Sequence, residues 1–307
     1  MSDNAAGDAG QTRCGFVALL GAPNAGKSTL LNRLVGAKIS IVTHKVQTTR
    51  SRVRGVVLEG DCQIVFVDTP GIFTAKRRLE RSMVASAWGE AKDADEVVLI
   101  ADAARSGIDR DTRLIVDGLR ARGRSAVLAL NKVDLCKRER LLPLAAAFEA
   151  EGVFSRIFMI SALDGDGVED LRRYLAGRMP AGPWLFPADE LSDLPERLLA
   201  AEVTREKLFL NLHQELPYSL TVETDEWEDF DDGSARIGQT VTVLRDSHKA
   251  MCLGKGGRTI KAVREAAQAD LETMLGRKVH LFLLVKVREN WLEDRAHYRP
   301  WGLDFDV

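Results

Sequence analysis

The segment Gly21-Ala22-Pro23-Asn24-Ala25-Gly26-Lys27-Ser28 has the form G-x-x-x-x-G-K-S, and that form dictates its surroundings. Such a turn wraps backbone N–H groups around phosphate oxygens, with the positive end of a helix aimed at them. It must therefore stand between a strand and a helix, and the chain supplies both. Phe16–Leu20 is a short apolar run that stops at Gly21, and Ser28–Val35 puts Leu30, Leu31 and Leu34 on one helical face. Further on, Val53–Leu58 and Gln63–Val67 read as a strand pair around Glu59-Gly60-Asp61. Val97–Ala101, Ala126–Leu130 and Arg156–Ile160 read as strands covered on both faces. Helical stretches fall between them, at 77–91, 109–122, 138–151 and 167–176. The alternation predicts an α/β domain, doubly wound around a mostly parallel sheet, over residues 13–180.

Three more segments follow in order, each just after a strand: Asp68-Thr69-Pro70-Gly71, Asn131-Lys132-Val133-Asp134 and Ser161-Ala162. A loose D-x-x-G occurs about once in any chain of this size, so the order of all four carries the argument. Together they specify a P-loop GTPase site for GTP and GDP. Lys27 is expected on the β and γ phosphates, Ser28 on Mg²⁺, Asp68 on the same Mg²⁺ through water, and the Gly71 N–H on the γ phosphate. Thr29 completes the phosphate-side set. Asp134 can accept two N–H bonds from guanine N1 and N2, which adenine does not offer. The Ala162 region can give guanine O6 a backbone N–H. Leu163 stands where Lys or Glu is more usual, which leaves side-chain packing on the base open.

The candidate effector loop is Thr43–Arg54, with Thr48-Thr49 as the pair that senses Mg²⁺ and the γ phosphate, Thr49 favoured. Ile72 takes the place where many small GTPases carry a water-orienting Gln, so intrinsic hydrolysis is expected to be slow. Asn24, together with T-T-R at 48–50, resembles the potassium-activated GTPases. That resemblance implies K⁺ as a second cofactor, with Asn24 and backbone carbonyls near Thr43 and Lys45 as ligands. It makes Asn24, Lys27 and Thr49 the catalytic group. Asn24 shaping the loop and nothing more is the alternative.

Past Met179 the pattern breaks. Pro180, Gly182, Pro183, Pro187 and Pro195 punctuate a stretch read as an inter-domain linker over 181–195. A helix is expected over Glu196–Glu215, a hairpin from Tyr218–Glu226 and Ala235–Arg245, a helix over Thr259–Leu275 and a strand over Val279–Val287. The stretch Cys252–Ile260 contains Gly254-Lys255-Gly256-Gly257 and matches the core of a KH domain, taken to span 196–307 as a smaller α+β domain of the prokaryotic (type II) order. A G-x-x-G turn lets a nucleic-acid backbone come close while a groove holds about four single-stranded bases. Lys249, Lys255, Arg258 and Lys261 are the candidate phosphate contacts, and Gly254, Gly256, Gly257 and Ile260 shape the turn and groove. Residues 245–288 hold ten Lys/Arg against four Asp/Glu, whereas Glu223–Asp232 holds seven carboxylates and no base. RNA is the expected partner of the basic region, and the acidic stretch reads as a solvated loop.

A net charge of −2 excludes bulk attraction to nucleic acid, so any such contact must be local. Cys14, Cys62, Cys136 and Cys252 lie far apart without metal-ligand spacing and read as reduced thiols of a cytoplasmic protein. No run of 18 apolar residues exists, and residues 1–12 read as a disordered tail rather than a signal peptide.

One G domain followed by one KH domain of this order resembles the Era family of bacterial GTPases. Shared features include K-I-S-I-V at 38–42, Q-T-T-R at 47–50, R-E-K-L at 205–208, E-L-P-Y at 215–218 and V-H-L at 279–281. The resemblance implies binding to the 3′ end of 16S ribosomal RNA and a role in maturing the small (30S) subunit, by a monomer. It also implies peripheral association with the inner face of the cell membrane, for which the sequence shows no lipidation motif. The alternative is a GTPase acting on another RNA, or at the membrane without a ribosomal role. A tandem GTPase of the large subunit is disfavoured by the single G-x-x-x-x-G-K-S. A GTP-dependent RNA-modifying enzyme is disfavoured by the lack of a second catalytic constellation.

Overall fold

The computed structural model describes residues 12–43, 45, 48–212 and 216–307. The tail expected over residues 1–12 lies outside them except for Thr12. By contacts the chain divides into two compact units. The first contains residues up to 37, 54–68 and 88–193; the second contains 38–53, 69–87 and 194–307.

The first unit is built on a six-stranded sheet of order β2-β3-β1-β4-β5-β6. Its strands are β1 (Arg13–Gly21), β2 (Val53–Glu59), β3 (Cys62–Asp68), β4 (Glu96–Asp102), β5 (Ala126–Asn131) and β6 (Phe154–Ile160). β3, β1, β4, β5 and β6 run parallel. β2 and β3 are joined by a two-residue turn. The central strands are buried on both faces, which is why they read as unbroken apolar runs. The helices are α1 (Lys27–Val35), α2 (Arg78–Asp93), α3 (Arg110–Ala121), α4 (Leu141–Glu149) and α5 (Val168–Ala176); residues 78–87 of α2 belong to the second unit. α3 starts where the Asp109 carboxylate accepts from the backbone N–H groups of Asp111 and Thr112. The helix expected over 138–151 is shorter. Arg138–Arg140 form a separate 3₁₀ turn, and Pro143 sits in the first turn of α4, where its missing N–H costs nothing.

Residues 181–193 pack within the first unit. The buried Gln63 carboxamide accepts from the Leu185 and Phe186 N–H groups (2.8 and 3.0 Å) and donates to Phe186 O (2.8 Å). Val56 N donates to Leu191 O (3.0 Å), and Gly55 bridges Ser192, so this stretch covers the outer edge of β2. Proline punctuation marks an irregular path, and the hydrogen bonds that fix it come from β2 and β3, at least 122 residues earlier in the chain.

The second unit has a three-stranded sheet of order β7-β8-β9, from Leu220–Asp229, Ala235–Val243 and Val279–Val287. β7 and β8 are antiparallel, β8 and β9 parallel. Helices α6 (Glu196–Asn211), α7 (Asp246–Leu253) and α8 (Arg258–Leu275) complete it. α6 ends at Asn211, and residues 213–215 of the longer helix expected there lie outside the described residues. Alternation along β9 buries Val279, Leu281 and Val285 against α6 and α8 and leaves Phe282 and Leu284 exposed. The acidic stretch is largely the continuation of β7, where Arg236 faces Glu226 and Glu228 across the sheet. Beyond β9, Trp291, Tyr298, Trp301 and Leu303 form an apolar cluster with Leu79 and Met83 of α2. Among the described residues no helix is long and apolar enough to cross a membrane.

Replacing Gln63 by Leu keeps the volume but strands two N–H groups and one carbonyl of residues 185–186. Equilibrium urea unfolding should show a loss of about 1–3 kcal/mol, with new protease cleavage between residues 183 and 190.

Candidate nucleotide and nucleic-acid sites

Every motif of the first unit begins at the last residue of a parallel strand or one residue beyond it. Gly21 ends β1, Asp68 ends β3, Asn131 ends β5, and Ser161 follows β6. This gathers them at the carboxyl edge of the sheet, where doubly wound folds bind ligands.

The phosphate loop runs from Gly21 into α1. Gly26 has φ 101°, and a Cβ there would lie 2.2 Å from Asn131 Nδ2, so only glycine fits. Asn24 is exposed with φ 63°, a conformation that Asn tolerates better than most residues. Ala22 and Ala25 are buried, and Pro23 and Thr29 are partly buried. Lys27 is 6% exposed, and its ammonium donates to Gly21 O (3.1 Å) and Ala22 O (3.0 Å). Burial pushes it down to about 8, against a smaller opposing pull from Asp68. The Ser28 hydroxyl donates to Asp68 Oδ2 (2.6 Å). Two hard oxygen donors thus meet beside the ammonium, a set suited to Mg²⁺.

Asn131 joins the loops. Its Nδ2 donates to Ala25 O (2.8 Å), and its Oδ1 accepts from Ala162 N (2.9 Å). Lys132, held at φ 68°, sends its ammonium to Asn24 O (2.8 Å) and Asp102 Oδ2 (2.6 Å). Asp134 lies in a 3₁₀ turn, Val133–Leu135, with its carboxylate exposed. Ser161 is buried, and its hydroxyl accepts from Asp164 N (3.1 Å). Arg33 of α1 bonds the carbonyls of Ala162 and Leu163. Leu163 itself is 67% exposed. Asp102 and Arg33 escaped the sequence reading. Asp102 carried a signal, because it too ends a parallel strand.

Thr49 and Thr69-Pro70-Gly71 belong to the second unit. Thr49, Thr69 and Pro70 are buried, Gly71 is partly exposed, and Ile72 is fully buried. The Thr43 and Thr48 hydroxyls lie 2.6 Å apart, and Thr48 O accepts from Arg205. Lys45 bonds the carbonyls of Phe209 and Leu212 at the end of α6, where a cation complements the helix dipole. Lys38 pairs with Glu206 (2.6 Å) and Asp270 (2.9 Å), which links this segment to α6 and α8. Gln47 of Q-T-T-R lies outside the described residues.

The G-x-x-G turn separates α7 from α8. Gly254, Gly256 and Gly257 have φ of 68°, 62° and 75°. A Cβ on Gly254 would lie 2.2 Å from Thr259 Oγ1, so the tight turn requires glycine there. Lys255, Arg258 and Lys261 are exposed, and Lys249 is partly exposed. Ile260 packs against the core cluster that contains Cys252 and Val263. Helix α7 directly precedes the turn, where the sequence reading assigned no range. Buried Cys252 is a core thiol pushed up to about 11 by desolvation.

A family model described as a 50S ribosome-binding GTPase matches residues 16–132, and a KH-domain model matches 215–292. The chain is 59% identical over 305 residues to the GTPase Era of Rhizobium meliloti (strain 1021), covering 99% of this chain and 97% of that protein. It is 57% identical to the GTPase Era of Dinoroseobacter shibae, covering 99% and 98%. Among solved structures, an Era in complex with MgGDPNP and nucleotides 1506–1542 of 16S ribosomal RNA aligns with a TM-score of 0.90 at 35% identity. That alignment covers 96% of this chain and 100% of the other. An Aquifex aeolicus Era variant bound to GDP and aluminium fluoride aligns with a TM-score of 0.89, also at 35% identity. Similarity this high over nearly the full length establishes that this chain belongs to the Era family of GTPases.

Proposed function

We propose that the chain is a GTP-hydrolysing switch that binds the 3′ end of 16S ribosomal RNA and assists maturation of the small (30S) subunit from the cytoplasm. The observation that carries this reading is one chain holding both a guanine-nucleotide site and an exposed, basic G-x-x-G turn. The RNA fragment bound to the Era relative of like fold supports the choice of RNA.

In this reading Lys27 and the N–H groups of 21–29 hold the phosphates, and Asp134 reads guanine, with the 161–162 backbone beside it. Ser28, Asp68 and Thr49 hold Mg²⁺, which neutralises charge on the phosphates. Thr69, Pro70 and Gly71 sense the γ phosphate. Asn24, an exposed amide at the phosphate loop, is suited to K⁺. Buried Ile72 cannot orient water, so the unaided reaction is slow. Lys255, Arg258, Lys261 and Lys249 meet RNA phosphates around the turn, and Ile260 supports the groove. Coupling between the sites runs through 43–54 and 72–81, because segments 38–53 and 69–87 pack with the body that holds the KH fold.

Titration of an RNA ending in the small-subunit 3′ sequence tests the switch. The form loaded with a GTP analogue should bind about five- to a hundredfold more tightly than the GDP form. Changing Lys255 and Gly256 to Asp should weaken RNA by more than about tenfold while nucleotide binding survives. Equal affinities in both nucleotide states would leave two independent modules.

Lys27 gives a pH test. Its pKa in the free protein lies below the ordinary lysine value, and a polyphosphate bound beside it should raise it, because an opposite charge favours the ammonium. Affinity from this contact is therefore full below about pH 8 and falls as pH rises through it. Calorimetry in buffers of different ionisation heat should read net proton uptake on nucleotide binding that grows as pH is raised toward and past that value. Lys27→Met should abolish the uptake.

Hydrolysis should run faster in K⁺ than in Na⁺ at equal ionic strength. Asn24→Ala should erase the difference without loss of nucleotide binding, and equal parental rates in the two salts would exclude K⁺.

A further inference from the structure

Arg33 stands in the last turn of α1, off the face that buries Leu30, Leu31 and Leu34. A cation at the end of a helix ordinarily serves that helix's own carbonyls. Arg33 serves a loop 129 residues further on: Nε donates to Ala162 O (3.3 Å), and Nη2 donates to Leu163 O. All the groups involved belong to the first unit. Within the loop most N–H groups are already taken. Ser161 N donates to Asp166 O (2.9 Å), and Gly165 N donates to Ser161 O (2.7 Å). Asp164 N donates to the Ser161 hydroxyl (3.1 Å), and Ala162 N donates to Asn131 Oδ1 (2.9 Å). Leu163 N has no partner among the described residues, and Leu163 is 67% exposed.

We propose that Arg33, by holding the Ala162–Leu163 peptide, positions the backbone N–H that meets guanine O6, which makes it a specificity-determining positioning residue for nucleotide choice. That role rests on the guanine reading proposed above, in which Asp134 meets N1 and N2. A trans peptide is planar, so Ala162 O and Leu163 N–H lie in one plane and point opposite ways. A carbonyl held toward α1 therefore holds the N–H away from α1. The guanidinium is a rigid fork, and bonds to two successive carbonyls fix two peptide planes at once. Released, the 162–163 peptide is free to turn over and present its oxygen where O6 must come. Two acceptors would then face each other, and the exocyclic amine of adenine would fit better. The orientation of this one peptide thus tells a keto group from an amine, a second check beside Asp134. Ala162 N–H cannot take over while Asn131 holds it.

The test measures affinity on the full chain for GDP and inosine diphosphate, which both carry O6, and for an aminopurine riboside diphosphate that keeps the exocyclic amine but lacks O6. Arg33→Ala should weaken GDP and inosine diphosphate by the same factor, about three- to tenfold, the worth of one hydrogen bond, and leave the aminopurine compound within about twofold of the parent. Arg33→Lys, which can reach one carbonyl at a time, should fall between Arg33→Ala and the parent. If Arg33→Ala binds GDP like the parent, the inference falls. It also falls if every ligand weakens alike, because a general brace of the loop would not single out O6. Asp134→Asn separates the two readings. A GDP affinity lowered in Asp134→Asn and unchanged in Arg33→Ala overturns the positioning role alone. An unchanged affinity in Asp134→Asn removes the guanine assignment and the inference with it.

Discussion

The carboxamide of Asn131 is the interaction on which the nucleotide site depends. One buried side chain donates to the phosphate loop at Ala25 O and accepts from the loop after β6 at Ala162 N. It thereby sets the spacing between the phosphate loop and the loop after β6. The phosphate loop passes so close that residue 26 has no room for a Cβ. A carboxylate at residue 131 could accept from Ala162 but would face the Ala25 carbonyl without a proton to give. Lys132 adds a second tie, from Asp102 to Asn24 O, and Arg33 holds the loop after β6 from the side of α1.

Most of the first unit was legible because its signals are local. A strand that stops at a glycine loop, an apolar run covered on both faces, and a motif at the end of each strand can be read within a dozen residues. The G-x-x-G turn was legible for the same reason. What escaped the sequence depends on partners far along the chain. Gln63 looks like a polar residue in a strand, but its amide fixes residues 185–186 and turns an apparent linker into the cover of a sheet edge. Arg50 looks like a solvated arginine in a polar loop, but its partners are Leu220, Trp291 and Trp301. No periodicity connects residue 50 to residue 301. The closing 3₁₀ turns carry no period either, so the packing of Trp291, Tyr298 and Trp301 with Leu79 and Met83 left no local signal.

The way the units divide the chain has an energetic consequence. The stretches on either side of Thr49 are irregular and rich in polar residues, and sequences of that kind seldom hold one conformation by local forces. Here they are fastened by ion pairs and cation–aromatic contacts: Lys38 to Glu206 and Asp270, Lys45 to the end of α6, and Arg50 to three rings. Arg205, paired with Glu202, adds a second buried guanidinium that bonds Thr48 O. At Arg50, desolvation and the like charge of Arg205 outweigh the attraction of Glu202, so this charge is held at a cost. A contact set held at such a cost can be shifted by a ligand that contributes only a modest difference in affinity between two arrangements. A segment packed in an apolar core could not be released that cheaply, and one left in water would transmit nothing. Charged anchors between aromatic rings lie between those limits, where a switch segment has to be.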